Sequence, residues 1–314
     1  MVMSPLQYAD KYRNLEVYLY TDEQAKEANG GLPPGGSWHT VNVDSYRLGL
    51  KKAWQSTQDS IEVFKGKVRP HLNEKHESIT VWVKTIAGDV VPKTYTDRYA
   101  LAENVNDPFY GKGSPEEVQV VLQLAVRYGV FPREKVQIYC DNGNIGLDCN
   151  GFVGNYLRHV VQGLPWDTDA HTKAETSSQF DANTLIKSIM DFGTLTTTVK
   201  SLDEMTKTPG SVYLLAMAHE NGVINDQGRN ADGSIAYGHI MISEPGTLWS
   251  RTDAIIPGVG SIPSAVEMKV IESTGGDGLV DSTYYVYGGN KHYAFTAHRG
   301  IKNARMTVRV ARLN

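Results

Sequence analysis

Strand-like runs crowd the second half of this chain, at 212–217, 235–243, 266–272, 283–287 and 306–312. The helical signals come before them. Apolar residues keep a helical spacing from Asp44 to about Phe64, at Tyr46, Leu50, Trp54, Ile61 and Phe64, with Asp44 or Ser45 as the cap. A second helix opens at Ser114-Pro115-Glu116-Glu117 and runs through Tyr128, where Gly129 ends it. Serine as cap, proline at the first helical position and acids in the first turn all favour a helix start. A third is predicted over 149–162, with Phe152, Val153, Tyr156, Leu157 and Val160 as its apolar stripe, and a short one near 183–192. Helices first and antiparallel strands afterwards predict an α+β fold rather than a βαβ alternation. Two features lie outside that order. Ile79-Thr80-Val81-Trp82-Val83 alternates as a strand does and turns at Gly88-Asp89 into Val90-Val91, a hairpin. Residues 1–43 read as polar and aromatic loop or linker around the Gly/Pro-rich stretch 30–36.

Bulk properties narrow the function classes. A net charge of -4 argues against a nucleic-acid binder driven by bulk charge. No apolar run reaches the roughly 18 residues that a membrane-spanning helix needs. Residues 1–10 lack the basic-then-apolar pattern of a secretory leader, which predicts a cytosolic chain, one that acts on the cell envelope after phage release or delivery by a route reading no such signal, or a piece of a secreted parent. Two cysteines, Cys140 and Cys149, are too few for a disulfide framework and read as free thiols.

The chemistry centres on Asp148-Cys149-Asn150-Gly151-Phe152-Val153, which puts a thiol in the first turn of a helix. The partial positive charge of a helix N-terminus favours thiolate, the reactive form. A nucleophilic thiolate needs a base, and Gly238-His239-Ile240-Met241-Ile242 holds a histidine rigidly in an apolar strand downstream. The base needs an orienting group on its other ring nitrogen, and the next strand supplies Glu272. The Cys149 amide and the Tyr139 hydroxyl are candidate oxyanion donors.

These residues resemble the NlpC family of cell-wall cysteine peptidases. The Cys149 motif is similar to the family's Asp-Cys-Ser-Gly-(Leu/Phe)-Val signature, Pro209-Gly210-Ser211-Val212-Tyr213 to its Pro-Gly-Asp-Leu strand, and Gly238-His239-Ile240 to its Gly-His-Val/Ile strand. Glu272 falls where the family carries a third polar residue. Tyr139 lies ten positions before Cys149, where members have a tyrosine assisting the oxyanion site. The resemblance covers roughly residues 114–290. It implies a papain-like α+β fold, with the Cys-bearing helix packed on an antiparallel β-sheet, and hydrolysis of amide bonds in peptidoglycan stem peptides without cofactor or metal. The related CHAP amidases share the Cys–His layout and cut other wall amides, so the scissile bond stays open.

The chain departs from that pattern in four places. Asn150 replaces the usual serine, and Glu272 is an unusual third residue. Cys149 and His239 are 90 positions apart, which implies insertions around 164–205 and 219–234. Cys140-Asp141-Asn142-Gly143 stands where the family has Trp-Gly-Gly. Residues 1–105 form an N-terminal region of unassigned role, separate or packed on a catalytic domain at 106–314.

Alternatives remain. The chain is a catalytically degenerate wall-binding or structural component of a phage or injection particle, or a transferase using the same thiol. For the hydrolase reading, the expected partners are peptidoglycan stem peptides and an immunity protein or delivery machinery. His71 and His76 with Glu74 and Glu77 fit no zinc signature. His292 and His298 among Tyr284, Tyr285, Tyr287 and Tyr293 mark a binding surface or an aromatic sheet face, and Arg305, Arg309 and Arg312 a strand with one wet face.

Overall fold

The computed structural model describes residues 3–46, 51–73, 78–96, 105–161, 190, 195–225, 238–256, 258–300 and 304–314. The helix expected near 183–192 and most of the insertions expected around 164–205 and 219–234 lie outside the described residues, as do Glu74, His76 and Glu77. The chain divides into two compact units, Tyr8–Asn155 with Ser273–Leu279, and Met1–Gln7 with Tyr156–Glu272 and Val280–Asn314.

The first unit is built from helices and two small sheets. After α1 (Pro5–Arg13), β1 (Leu15–Leu19) pairs antiparallel with β2 (Ser37–Val41), where composition alone predicts loop. Leu15, Val17 and Leu19 share one face of β1 and are buried, and Tyr18 on the other face is buried as well, so this short apolar run forms a strand with both faces covered. Between them, α2 (Asp22–Lys26) starts on a capping box made by Thr21 and Gln24. Then follow α3 (Lys51–Asn73), β3 (Ile79–Lys84) and β4 (Val90–Tyr95), the last two forming the expected hairpin.

Helix α4 (Pro115–Arg127) starts as its sequence dictates. Ser114 Oγ accepts from the Glu117 amide at 3.3 Å, and Glu117 Oε2 accepts from the Ser114 amide at 2.7 Å. It packs against β1 and β3. Two buried polar residues of α4, Gln119 and Gln123, meet the backbone of β3. Gln119 accepts from the Lys84 amide at 2.7 Å and donates to the Lys84 carbonyl at 2.8 Å. Gln123 does the same for Trp82, at 3.1 and 2.6 Å. The spacing works because four residues of helix rise about 6 Å, close to the roughly 6.8 Å between alternate residues of a strand. On the other strand Pro92 stands opposite Trp82, a position where a missing amide proton leaves no ladder bond unmade. The unit ends with α5 (Val136–Asp141) and the first residues of α6 (Cys149–His159).

The second unit is a β-barrel. Its strands are β5 (Thr196–Thr198), β6 (Tyr213–Met217), β7 (Ile240–Ser243), β8 (Trp249–Ile256), β9 (Gly260–Thr274), β10 (Gly278–Tyr287), β11 (Ala294–Arg299) and β12 (Ala304–Leu313), with α7 (Leu202–Lys207) between β5 and β6. Six of them run β10-β11-β12-β6-β7-β9, and β9 pairs back with β10, which closes the ring. Strand β5 adds to β12 and β8 to β9 outside it. Alternate residues fill the interior: Tyr213 and Leu215, Met241, Val266 with Met268 and Val270, Tyr284 and Val286, Phe295 and Ala297, Val308 and Val310. Each such large apolar side chain contributes about 1.5–3 kcal/mol on burial.

Closure of the sheet overturns the papain-like α+β fold expected from sequence. The chain is mostly β, with about 30% helix, around an antiparallel barrel. The expectation failed at strands that look unlike strands. The outward residues of β8 are exposed almost throughout, so it carries little apolar alternation. Strand β11, Ala-Phe-Thr-Ala-His-Arg, ends in two polar residues. Strand β9 begins six residues before Val266, in a stretch containing Pro263. Without β11 there is no path from β10 round to β12, and the sheet reads as open.

Candidate functional site

In the first unit the thiol is set by the start of α6. Asp148 caps it: Oδ1 accepts from the Gly151 amide at 2.5 Å, and its carbonyl accepts the first helical bond, from Phe152, at 3.0 Å. The other carboxylate oxygen accepts from Lys112 Nζ at 2.6 Å, and both side chains are buried, at 6% and 4% exposure. The Asp148 amide donates to the Gly111 carbonyl at 2.9 Å, and Asn155 Nδ2 donates to the Lys112 carbonyl at 2.7 Å. Gly151 is required where the helix passes this segment, because a Cβ there would stand 1.9 Å from the Gly111 oxygen. Cys149 is the first helical residue and is 4% exposed. Tyr139, in α5, is half-buried and stacks on Phe131 with ring centroids 4.2 Å apart. Cys140 is buried; burial and the neighbouring Asp141 push its thiol up to about 12, which makes it an inert packing residue.

In the barrel, a polar cluster ends the apolar interior. Glu272 continues the inward alternation of Val266, Met268 and Val270 on β9, and Arg299 that of Phe295 and Ala297 on β11. His239 lies two residues before the inward Met241 of β7, and its carbonyl accepts from the Met217 amide at 2.9 Å, tying it to β6. His239 Nε2 and Glu272 Oε2 are 2.9 Å apart, with 16% and 1% of the side chains exposed. The Tyr284 hydroxyl donates to the same carboxylate at 3.0 and 3.2 Å, and Arg299 Nε lies 3.1 Å from Oε1. Burial alone would raise the Glu272 carboxyl. The His239 hydrogen bond and charge, Arg299 and Tyr284 together outweigh it and hold the group below the usual range. Burial and the adjacent carboxylate raise the Tyr284 phenol well above its ordinary value, so it stays a donor.

Glu272 therefore couples the barrel to acid. Its folded value lies below the unfolded value of about 4.3, so its contribution is fully present above that pH and lost as pH falls through the lowered folded value. Glu272→Gln should destabilise the chain at pH 7, by leaving the largely enclosed Arg299 beside a neutral group, and the gap to wild type should narrow in urea unfolding below about pH 4. A gap that stays constant with pH would refute this.

Of the four residues selected from sequence, the structure brings His239 and Glu272 together, and places Cys149 and Tyr139 in the first unit. Arg299, Tyr284 as a carboxylate partner, and Lys112 escaped the sequence reading. Arg299 had a usable signal, a charge in step with Phe295 and Ala297. Lys112, between two glycines, had none. His298 is buried on β11, and His71 stacks on Tyr128 with centroids 4.1 Å apart. Among the described residues, no group of three or more His, Cys, Asp or Glu side chains is arranged to hold a metal, and no helix is long and apolar enough to cross a membrane. No known family profile, curated protein or solved structure matches the chain.

Proposed function

We propose that the chain is a cysteine hydrolase that cleaves an amide bond in peptidoglycan stem peptides. The observation that carries the reading is the His239–Glu272 pair, 2.9 Å apart at one end of the barrel, downstream of a cysteine that begins a helix. A carboxylate on Nε2 selects the tautomer whose lone pair is on Nδ1, which is what a general base requires. In this reading Cys149 Sγ attacks the carbonyl carbon, and His239 takes the thiol proton and returns it to the leaving amine. Water then cleaves the acyl-enzyme, with the Cys149 amide and Tyr139 hydroxyl as donors to the oxyanion. The substrate class rests on the ordered resemblance of the Cys149, Pro209 and His239 motifs to NlpC peptidases.

Two measurements test it. Iodoacetamide should alkylate Cys149 faster than a free thiol at neutral pH, and His239→Ala should slow it by about tenfold or more. Digestion of purified peptidoglycan, followed by mass spectrometry of the products, should show a mass gain of one water per cut and nothing with Cys149→Ala. Cleavage by Cys149→Ala would sink the assignment. Products joined to an added amine would identify a transferase, and binding without cleavage a degenerate wall-binding component.

A further inference from the structure

We propose that Arg299 is a positioning residue that, with Tyr284, holds the Glu272 carboxylate as an anion aimed at His239, and thereby sets how readily that histidine accepts a proton. The inference rests on the reading above only for what the histidine is used for.

A carboxylate at 1% exposure, in line with Val266, Met268 and Val270, has lost its water and must be matched by a fixed counter-charge and fixed hydrogen bonds. Three groups match it, each from a different strand or strand approach: Arg299 as a counter-charge, and Tyr284 and His239 as hydrogen-bond partners. Arg299 Nε meets Oε1 at 3.1 Å, the Tyr284 hydroxyl reaches both oxygens, and His239 Nε2 meets Oε2 at 2.9 Å. Arg299 is itself fixed. Its Nε and one terminal nitrogen donate to Ser282 Oγ at 3.0 and 2.9 Å. The register sets Arg299 opposite Tyr284, with Ser282 two residues before on the same face of β10. Ser282, Tyr284 and Arg299 thus form one cross-strand unit whose charged end points at Glu272.

The charge count gives this unit its effect. A lone buried carboxylate beside an imidazole would pull it towards imidazolium. The guanidinium offsets that pull, so the carboxylate orients the ring without trapping its proton. Among the described residues, His239, Arg299 and Tyr284 are the groups that act most strongly on Glu272, coming from the approach to β7, from β11 and from β10. An arginine that served only to hold the barrel end together would change stability and leave the histidine's titration alone.

The test is the titration of the His239 ring followed by nitrogen NMR on the full chain without substrate, with His239→Gln to assign the signal. Arg299→Met should move the midpoint up by about one pH unit, and Arg299→Lys, which keeps the charge, should return it towards wild type. Tyr284→Phe removes one donor, keeps the ring in the core, and should move it the same way by less. A folded Arg299→Met that titrates as wild type does would overturn the proposal. If that variant does not fold, an unchanged midpoint in Tyr284→Phe overturns it. Because no substrate is involved, a shifted midpoint in a chain that cuts no peptidoglycan would support this inference while the hydrolase reading fails, and the reverse is equally visible.

Discussion

Lys112→Met should cost about 3–5 kcal/mol in stability, because it leaves the buried Asp148 carboxylate without its counter-charge. The two groups lie 2.6 Å apart at 4% and 6% exposure, so solvent does little to screen the loss. Asp148 cannot move away from the lost partner, since its other oxygen caps α6 and its amide is bonded to Gly111. The double variant Lys112→Met with Asp148→Asn should recover a large part of the loss, because asparagine keeps a capping oxygen and carries no charge. Denaturant unfolding of wild type, the two single variants Lys112→Met and Asp148→Asn, and the double variant decides it. A single variant within about 1 kcal/mol of wild type, or a double variant no better than the single, would show that the pair is not an isolated charge couple. The consequence for chemistry is direct: Cys149 follows Asp148, so a loosened cap displaces the thiol.

Gly151→Ala and Gly154→Ala should change stability in opposite directions although they stand one turn apart on α6. Alanine in a helix is ordinarily favoured over glycine by about 1 kcal/mol. At Gly154 an added Cβ meets no atom within 4 Å among the described residues, and the gain should appear in full. At Gly151 the same methyl would stand 1.9 Å from the Gly111 oxygen and 2.9 Å from Lys112 Cα, both backbone atoms that cannot rotate away. The helix start must shift, with the Asp148–Gly111 bond strained, at a cost of about 1–3 kcal/mol or more. Thermal unfolding of both variants reads the contrast, and a Gly151→Ala chain as stable as wild type would mean that the segment around Gly111 is free to yield.

What could be read in the sequence was local. The Ser114 box, the Cys149 helix and the hairpin at Gly88 are each specified within a few residues, and they formed as expected. The His239–Glu272 pair was also legible, because Glu272 falls on β9 and His239 immediately before β7, where the apolar period of each run fixes which way they point. Closure of the barrel was not. It depends on β9 and β10 pairing with each other while each also holds another neighbour, and no single window of sequence encodes a ring. Strands β1 and β2 hid behind glycines and prolines in the 30–36 connection. The cations hid for a different reason: Lys112 and Arg299 sit where composition predicts surface, and only the carboxylates beside them explain why Lys112 is buried and Arg299 largely so.

The glutamines of α4 close off a hazard that β3 would otherwise carry. A two-stranded ribbon has two open borders, and a bare border can recruit a foreign strand. Along β3 the amide and carbonyl of both Trp82 and Lys84 are already taken by Gln119 and Gln123, and the Thr80 carbonyl by the Tyr20 hydroxyl and Arg127. A foreign strand would have to evict two side chains anchored in a buried helix before making its first bond. Aggregation along this border is therefore opposed by side-chain amides that mimic the partner they exclude.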